Sequence, residues 1–380
     1  MPNRLPLLVA ASVALLVLSA CNAAGPRAVR TARTAYNEAV VETWNEQLLL
    51  NLVRLRYRDT PFFLEVASVS TQYSLGASAA AGGRIGDGDA AADLGLGGSW
   101  SESPTITYSP LAGEKFVSQL LAPIALETLF LLPQSGWSVE RVLRCCVQRL
   151  NDLPNAPSAA GPTPTLAPTY EEFHRAARLL RELQVEGALE MGIRHPGRPA
   201  AEAADGDGDD DESTLPPGPY VIRFPAHAEG PRTAELRRLL GAPEAGEEGR
   251  QLTFALGALD RPRGELAVFP RSLMGVLFYL SQAVEPPAGH LERGWATVTR
   301  DAAGEPFDWR RVTGDLLRIP SAERRPADAF VAVPYRDAWF YIADADLESK
   351  STFGLLVQLF SLQAGDSRAL VPLLTLPVGR

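Results

Sequence analysis

Polar and apolar residues alternate strictly in one long stretch of the chain, from Phe62 to Tyr108. Successive side chains of a β-strand point to opposite faces, so the alternation predicts two extended arms, each with an apolar and a polar face. The turn-like Asp87-Gly88-Asp89 separates the arms, and the whole stretch, 62–108, therefore predicts a long amphipathic β-hairpin. The apolar face includes Val69, Tyr73 and Leu75 on the first arm and Leu94, Leu96 and Trp100 on the second.

Helical patterns flank the hairpin on both sides. Apolar residues recur at intervals of three and four from Val41 to Leu55, which predicts a helix that begins at Thr34 and ends at Asp59-Thr60-Pro61. A later helix has Ser138, a good N-cap residue, immediately before its apolar face. The predicted helices of this first domain, which covers residues 34–151, are 34–58, 114–121, 124–132 and 138–150.

A second domain is predicted beyond a linker. Residues 152–168 are dense in Pro, Ala and Thr, a composition typical of linkers. In 169–380, short strand and helix patterns mix without a regular βαβ rhythm, which predicts the α+β class. An acidic insert, 195–217, is predicted to be disordered. The predicted helices are 170–185, 233–240, 271–284 and 347–362, the last capped by Asp346. The predicted strands are 188–193, 220–224, 251–256, 265–269, 295–299, 317–319, 330–333, 338–342 and 373–378. The last of these strands, 373–378, would close the sheet.

The first twenty residues have the pattern of a secretory signal peptide. Arg4 precedes an apolar run from Leu5 to Leu18, which is shorter than the roughly 20 residues of a membrane-spanning helix. The run closes on Leu18-Ser19-Ala20-Cys21, which resembles the lipobox of bacterial lipoproteins. The resemblance implies that Cys21 is the first mature residue and carries lipid, including palmitate. It also implies, since Asn22 follows the cysteine, a place in the outer membrane facing the periplasm. Residues 21–33 are rich in Ala and Arg, which predicts a flexible tether.

Charge and cysteine content narrow the classes of function. A net charge of -9 and a pI near 5.2 argue against nucleic acid as a partner, because nucleic-acid binding requires a basic surface. Besides Cys21, the chain has only the neighbours Cys145 and Cys146. Adjacent residues on a helix cannot reach disulfide geometry, so we expect both to be core residues.

The acidic run at 205–212 raises the possibility of a calcium site. Asp205, Asp207 and Asp209 match the first ligand positions of an EF-hand loop. The match fails at position six, where Asp210 replaces Gly, and at position twelve, where Pro216 replaces Glu. The sequence therefore predicts a solvated acidic run and no metal site.

Motifs for catalysis are also missing from the sequence. Each histidine is isolated, without the partners of a zinc site, and we expect the histidines to be exposed. Ser349-Lys350-Ser351 has the residues of a Ser/Lys dyad, but it lies in the first turn of a predicted helix, where serine is common as a capping residue. We therefore expect a protein that is not an enzyme and needs no cofactor. The histidines are His174, His195, His227 and His290.

The hairpin suggests one hypothesis for function. A membrane-spanning strand needs about 9 to 11 residues with apolar and polar alternation, and both arms provide it. Two strands cannot form a closed sheet, so several subunits would each contribute a hairpin to an oligomeric export or pore assembly. This design resembles that of the curli-secretion lipoproteins and of oligomeric pore-formers, although no motif is shared with them. The expected contacts with membrane or neighbouring subunits are Tyr73, Leu75, Leu94, Leu96 and Trp100.

The sequence leaves open whether the hairpin enters a membrane. The hairpin can instead lie on the protein itself, with its apolar face covered by the helix from Val41 to Leu55. In that case the chain is a periplasmic binding lipoprotein that docks cell-wall polymer or a partner protein through its second domain. In both hypotheses the partners are the membrane, through the lipid on Cys21, and other envelope proteins.

Overall fold

The fold is of the mixed α+β class, as predicted. A computed structural model describes residues 34–86, 89–193, 219–243, 250–257, 264–364 and 374–377. The signal peptide, Cys21, the tether and the acidic insert 195–217 lie outside these residues. The chain divides into two compact units, one comprising Met1–Leu49, Glu65–Ser109 and Pro372–Arg380, and the other Leu50–Leu64 and Pro110–Val371. We call the first the strand unit and the second the body.

The strand unit contains the two predicted hairpin strands. Strand β1 covers Leu64–Gly86 and strand β2 covers Asp89–Pro110, which confirms the extended arms. A third strand, β12 (Leu374–Pro377), pairs antiparallel with β2, so the sheet has the order β1-β2-β12. The sequence prediction placed this last strand in the sheet of the second domain, which is wrong. Its short apolar pattern fits any open sheet edge and does not specify which edge it joins.

Helix α1, residues 34–56, was predicted from its apolar periodicity. The apolar stripe is buried only toward the C-terminal end of the helix. Leu48, Leu52 and Leu55 are at most 2% exposed, whereas Val41 is 52% exposed.

The body is built on a six-stranded sheet of order β4-β3-β8-β7-β6-β5. Neighbouring strands are antiparallel except β7 and β8, which are parallel. A smaller sheet has the order β10-β11-β9. The strands are β3 (Val147–Leu150), β4 (Leu153–Pro154), β5 (Glu190–Ile193), β6 (Tyr220–Arg223), β7 (Gln251–Leu256), β8 (Glu265–Pro270), β9 (Ser321–Ala322), β10 (Ala329–Tyr335) and β11 (Ala338–Ala343).

Helices of the body cover and connect these sheets. Helix α7 is buried along almost its whole length, which agrees with its strongly apolar sequence. Ser138 accepts a hydrogen bond from the Arg141 amide, which confirms it as the N-cap of α4. The helices are α2 (Glu114–Leu121), α3 (Leu126–Gln134), α4 (Val139–Cys146), α5 (Glu171–Val185), α6 (Pro231–Leu240), α7 (Leu273–Ser281), α8 (Ala288–Glu292), α9 (Arg310–Thr313) and α10 (Leu347–Ala364).

Several predicted elements differ in the structure. The helix predicted to reach Leu150 ends at Cys146, because Val147 and Leu150 pair with strand β8 and are buried there. Residues 295–299 and 317–319 are irregular rather than strands, apart from an isolated bridge between Val284 and Ile319. A β-like residue pattern forms a strand only where a neighbouring strand is available.

The predicted linker, 152–168, is also different from expectation. It is a packed part of the body: Leu153 and Pro154 form β4, and Asn155 and Ala156 are 0% exposed. The Asn155 side-chain amide donates to the carbonyl oxygens of Arg144 at 2.8 Å and Val147 at 2.6 Å. The boundary between a first domain ending at 151 and a second beginning at 169 is therefore wrong, since this segment joins both into one unit.

Candidate functional site

The predicted membrane or oligomer contacts lie on the long strands. Strand β1 carries Tyr73 and Leu75, and β2 carries Leu94, Leu96 and Trp100. The structure describes these five residues as parts of strands but not the surroundings of their side chains, so their contacts stay a prediction. Cys21, the predicted lipidation site, is likewise outside them.

Most described side chains of β1 and β2 that belong to the predicted polar face agree with that prediction. Ser99, Ser101 and Ser103, which share one parity on β2, are all exposed. On β1, Ser68 and Ser70 are exposed, while the intervening Val69 is half-buried. The polar face thus faces solvent at these five serines, but not at Thr107, which shares the parity of the β2 serines and is only 8% exposed.

A second candidate site is a cleft of about 240 Å³ within the body. We call it the Arg56 cleft. Its walls come from the end of α1, the segment after α7, and the segment leading into α9. Apolar side chains supply part of the wall, among them Leu291, Phe307 and Trp309. The Trp309 indole N–H is already engaged, since it donates to the Thr299 hydroxyl at 2.9 Å.

Arg56 is the buried cation of this cleft, at 5% exposure. One terminal nitrogen, Nη1, donates to the Thr163 hydroxyl at 3.3 Å and to the Thr297 carbonyl at 3.1 Å. No carboxylate among the described residues pairs with it. Burial lowers the pKa of Arg56 to about 10, so the guanidinium stays protonated at neutral pH. The cleft therefore holds a buried positive charge whose balance must come from solvent or a ligand.

The other polar groups of the Arg56 cleft are largely paired. Arg310 forms an ion pair with Asp308 at 2.8 Å, and Arg318 forms one with Glu285 at 3.3 Å. Gln282 is 2% exposed; its amide nitrogen donates to the Phe278 carbonyl at 3.1 Å. Its oxygen Oε1 is buried and has no donor in the described part of the protein. Among the described residues that line the cleft, three guanidinium groups thus face two carboxylates, which leaves one positive charge in excess.

Sequence reasoning missed this cleft because its walls are far apart along the chain. One signal was present: Gln282 is a polar residue inside the apolar run of the predicted helix 271–284. Arg56 lies at the C-terminal end of α1, where the partial negative charge of a helix favours a cation, so its position along the chain does not point to a binding site. Its burial depends on the distant residues Thr163 and Thr297, which no local pattern identifies.

Tyr57, the first residue after α1, belongs to a different cluster. Its hydroxyl lies 2.6 Å from Nδ1 of His290, and the other ring nitrogen of His290 hydrogen-bonds the Asp337 carboxylate. Arg293 donates to the second Asp337 oxygen at 3.2 Å. Hydrogen bonds from His290 and Arg293 lower the pKa of Asp337, and burial raises the pKa of Tyr57. Since Tyr57 is 4% exposed, this cluster fixes the end of α1 rather than presenting a reactive hydroxyl.

The prediction that the histidines are exposed is wrong for two of them. His290 is 2% and His174 is 7% exposed, because each ring packs on an aromatic neighbour, Trp295 and Tyr170 respectively, at 4.9 Å. Burial, together with the positive charge of Arg144, lowers the pKa of His174 to about 3. His227 is exposed, and His195 lies outside the described residues.

The serines and cysteines singled out earlier have structural roles. Ser349 donates to the Asp346 carboxylate at 2.7 Å and accepts from the Arg318 amide at 2.9 Å, so it belongs to the cap of α10. Lys350 binds Asp344 rather than a serine. Cys145 and Cys146 are buried free thiols, and burial raises the pKa of each, to about 11 for Cys145. Within the ranges that the structure describes, no group of three potential ligand side chains is placed to hold a metal ion.

No protein-family model, curated protein or solved structure matches this chain. Across the part of the chain that the structure describes, none of the helices is both long and apolar enough to cross a membrane. Function must therefore be argued from the α+β fold, the long-stranded sheet and the Arg56 cleft.

Proposed function

We propose that this chain is a lipid-anchored lipoprotein of the bacterial envelope. Its lipobox-like Leu18-Ser19-Ala20-Cys21 supports an anchor on Cys21, in the outer membrane and facing the periplasm. Several acyl chains, at about 0.8 kcal/mol per buried methylene, would hold the protein firmly to a bilayer. We propose further that it acts as a non-enzymatic structural or assembly component, as a subunit of an oligomeric export or pore complex.

The observation that supports the assembly role is the length of strands β1 and β2. Strands β1 and β2 have 23 and 22 residues, at least twice the roughly 9 to 11 residues of a bilayer-crossing strand. At about 3.3 Å per residue, each extends over roughly 75 Å. Among the described strands, β1 and β12 are the outer members of a sheet of three, so the ribbon offers two edges for pairing. Edge-to-edge pairing with other copies would extend this sheet into an assembly.

The anchor is tested by metabolic labelling with a clickable palmitate analogue in a bacterial host. We expect wild type to be labelled and Cys21→Ala to be unlabelled, although that variant keeps Cys145 and Cys146. Equal labelling of both proteins would contradict lipidation at Cys21.

The assembly role is tested on full-length protein solubilised in detergent. We expect analytical ultracentrifugation and electron microscopy to detect oligomers, and we expect deletion of residues 71–101 to leave monomers. A matched control deletes residues 196–216 of the acidic insert and should assemble like wild type. A monomeric wild type, or a hairpin deletion that still assembles, would refute the proposal.

A second candidate function is favoured by the Arg56 cleft. In this view the chain is a binding lipoprotein, and the body provides the recognition surface for an envelope component. Its support is the combination of an open cavity, one excess positive charge and the unpartnered Gln282 oxygen. The two candidates are compatible, because the sheet and the cleft use different residues.

A further inference from the structure

We infer that the Arg56 cleft binds a small organic monocarboxylate, with Arg56 as the residue that holds the carboxylate. The inference is independent of the assembly role of the sheet. It rests on the second candidate function, the binding role, and names a ligand class for it.

The charge balance of the cleft points to an anion with a single charge. Arg310 and Arg318 already have carboxylate partners, Asp308 and Glu285, whereas Arg56 has none among the described residues. A buried guanidinium without a counter-charge is costly, and a ligand carboxylate would remove that cost through charge-assisted hydrogen bonds. A dianion such as phosphate would exceed the one positive charge available.

The shape and polarity of the walls point to an organic ligand. A volume of about 240 Å³ suits a compact small molecule. Leu291, Phe307 and Trp309 offer apolar surface to its body. Gln282 lines the cleft, and its buried Oε1, which has no donor in the described structure, would accept a hydrogen bond from a hydroxyl or amide N–H on the ligand if the side chain turned toward the cavity.

Calorimetric titration of the full-length protein in detergent tests the ligand class. Phenylacetate is the probe, phenylacetamide is its neutral match, and inorganic phosphate is the dianion. We expect saturable binding of phenylacetate, at least tenfold weaker binding of phenylacetamide, and no displacement of phenylacetate by an equal concentration of phosphate. Absence of saturable phenylacetate binding, or tighter binding of phosphate, would overturn the inference.

Substitutions test whether Arg56 holds the carboxylate of the ligand. Arg56→Met should weaken phenylacetate binding at least tenfold. Arg310→Glu reverses a charge at the exposed rim and should weaken binding severalfold without disturbing the core, while Arg324→Glu makes the same reversal at an exposed residue outside the cleft and should bind like wild type. Unchanged affinity in Arg56→Met, or in Arg310→Glu if the first variant does not fold, would refute the assignment. Assembly measured in the same samples reports separately on the proposed role of the sheet.

Discussion

Two buried arginines of the body, Arg271 and Arg56, are surrounded very differently. Arg271 is 1% exposed and donates to the carbonyl oxygens of Arg144, Cys145 and Val147 at 2.8 to 3.2 Å, and to that of Asn155. Its guanidinium also lies 4.0 Å from the centre of the Tyr279 ring. These carbonyls surround the C-terminal end of α4, where a helix carries partial negative charge.

Arg56 has a poorer environment than Arg271. Among the described residues it has two hydrogen-bond acceptors, both reached through one nitrogen, and it borders an open cleft. In both residues the Nε atom has no partner in the described structure, so the difference lies in the terminal nitrogens. The comparison teaches that a buried cation surrounded by backbone oxygens is part of the fold, whereas one left beside a cavity is available to a ligand.

The largest expected loss of stability comes from substitution of Arg271. Arg271→Met removes the donors of four carbonyl groups at the junction of α4 and β3, some of which would stay buried without a partner. We expect the free energy of unfolding to fall by about 3–5 kcal/mol, as when one member of a buried polar network is removed. Urea unfolding followed by circular dichroism measures it. A loss below about 1 kcal/mol would break the comparison.

The next largest effect is the loss of stability at low pH that the buried His174 causes. His174 Nε2 is buried without a partner in the described structure, and the pKa of His174 is about 3. A histidine has an unfolded pKa near 6.5, so the unfolded chain binds more protons between these values, and stability falls as the pH drops from about 6.5 to 3.

We expect His174→Phe to flatten this acid loss, which is on the order of a few kcal/mol. Urea unfolding at several pH values checks it, with exposed His227→Gln as the control that should keep the wild-type slope. An unchanged slope in His174→Phe would show that other groups cause the acid sensitivity.

A smaller effect tests what fixes the end of α1. Tyr57→Phe removes the hydroxyl that lies 2.6 Å from His290 and leaves that ring nitrogen without its partner. We expect a loss of about 1–2 kcal/mol in the free energy of unfolding, measured by urea titration. If Tyr57→Phe is neutral, the anchor of the helix end must lie elsewhere.

The smallest effect is expected for Arg56 itself. Arg56→Met removes two hydrogen bonds but also removes a buried charge that lacks a carboxylate partner. Because these effects oppose each other, we expect a change of less than about 1 kcal/mol in either direction, by the same urea titration. A loss as large as that of Arg271→Met would show that Arg56 is a structural residue and not one reserved for a ligand.

Local patterns predicted the parts of this molecule that depend on near neighbours. The alternation along β1 and β2, the periodicity of α1, and the caps Ser138 and Asp346 all follow from interactions within a few residues. The α+β class followed from the irregular order of these elements.

Long-range packing decided the rest. Val147 leaves the helical pattern because strand β8 is beside it, and Asn155 is buried because its amide reaches two carbonyls. His290 is buried by contacts with Tyr57 and Trp295, and the Arg56 cleft forms where several distant segments meet. Contacts between residues so distant in sequence produce no local residue pattern from which they could be predicted.

The position of β12 in the chain affects when the three-stranded sheet can be completed during folding. Its residues Leu374–Pro377 pair with Thr105–Tyr108 of β2, so the third strand of the sheet comes from a segment synthesised long after the first two. A contact between such distant segments forms late, after most of the loop between them has been ordered. Until Leu374–Pro377 is synthesised, Thr105–Tyr108 of β2 therefore lack the strand that pairs with them.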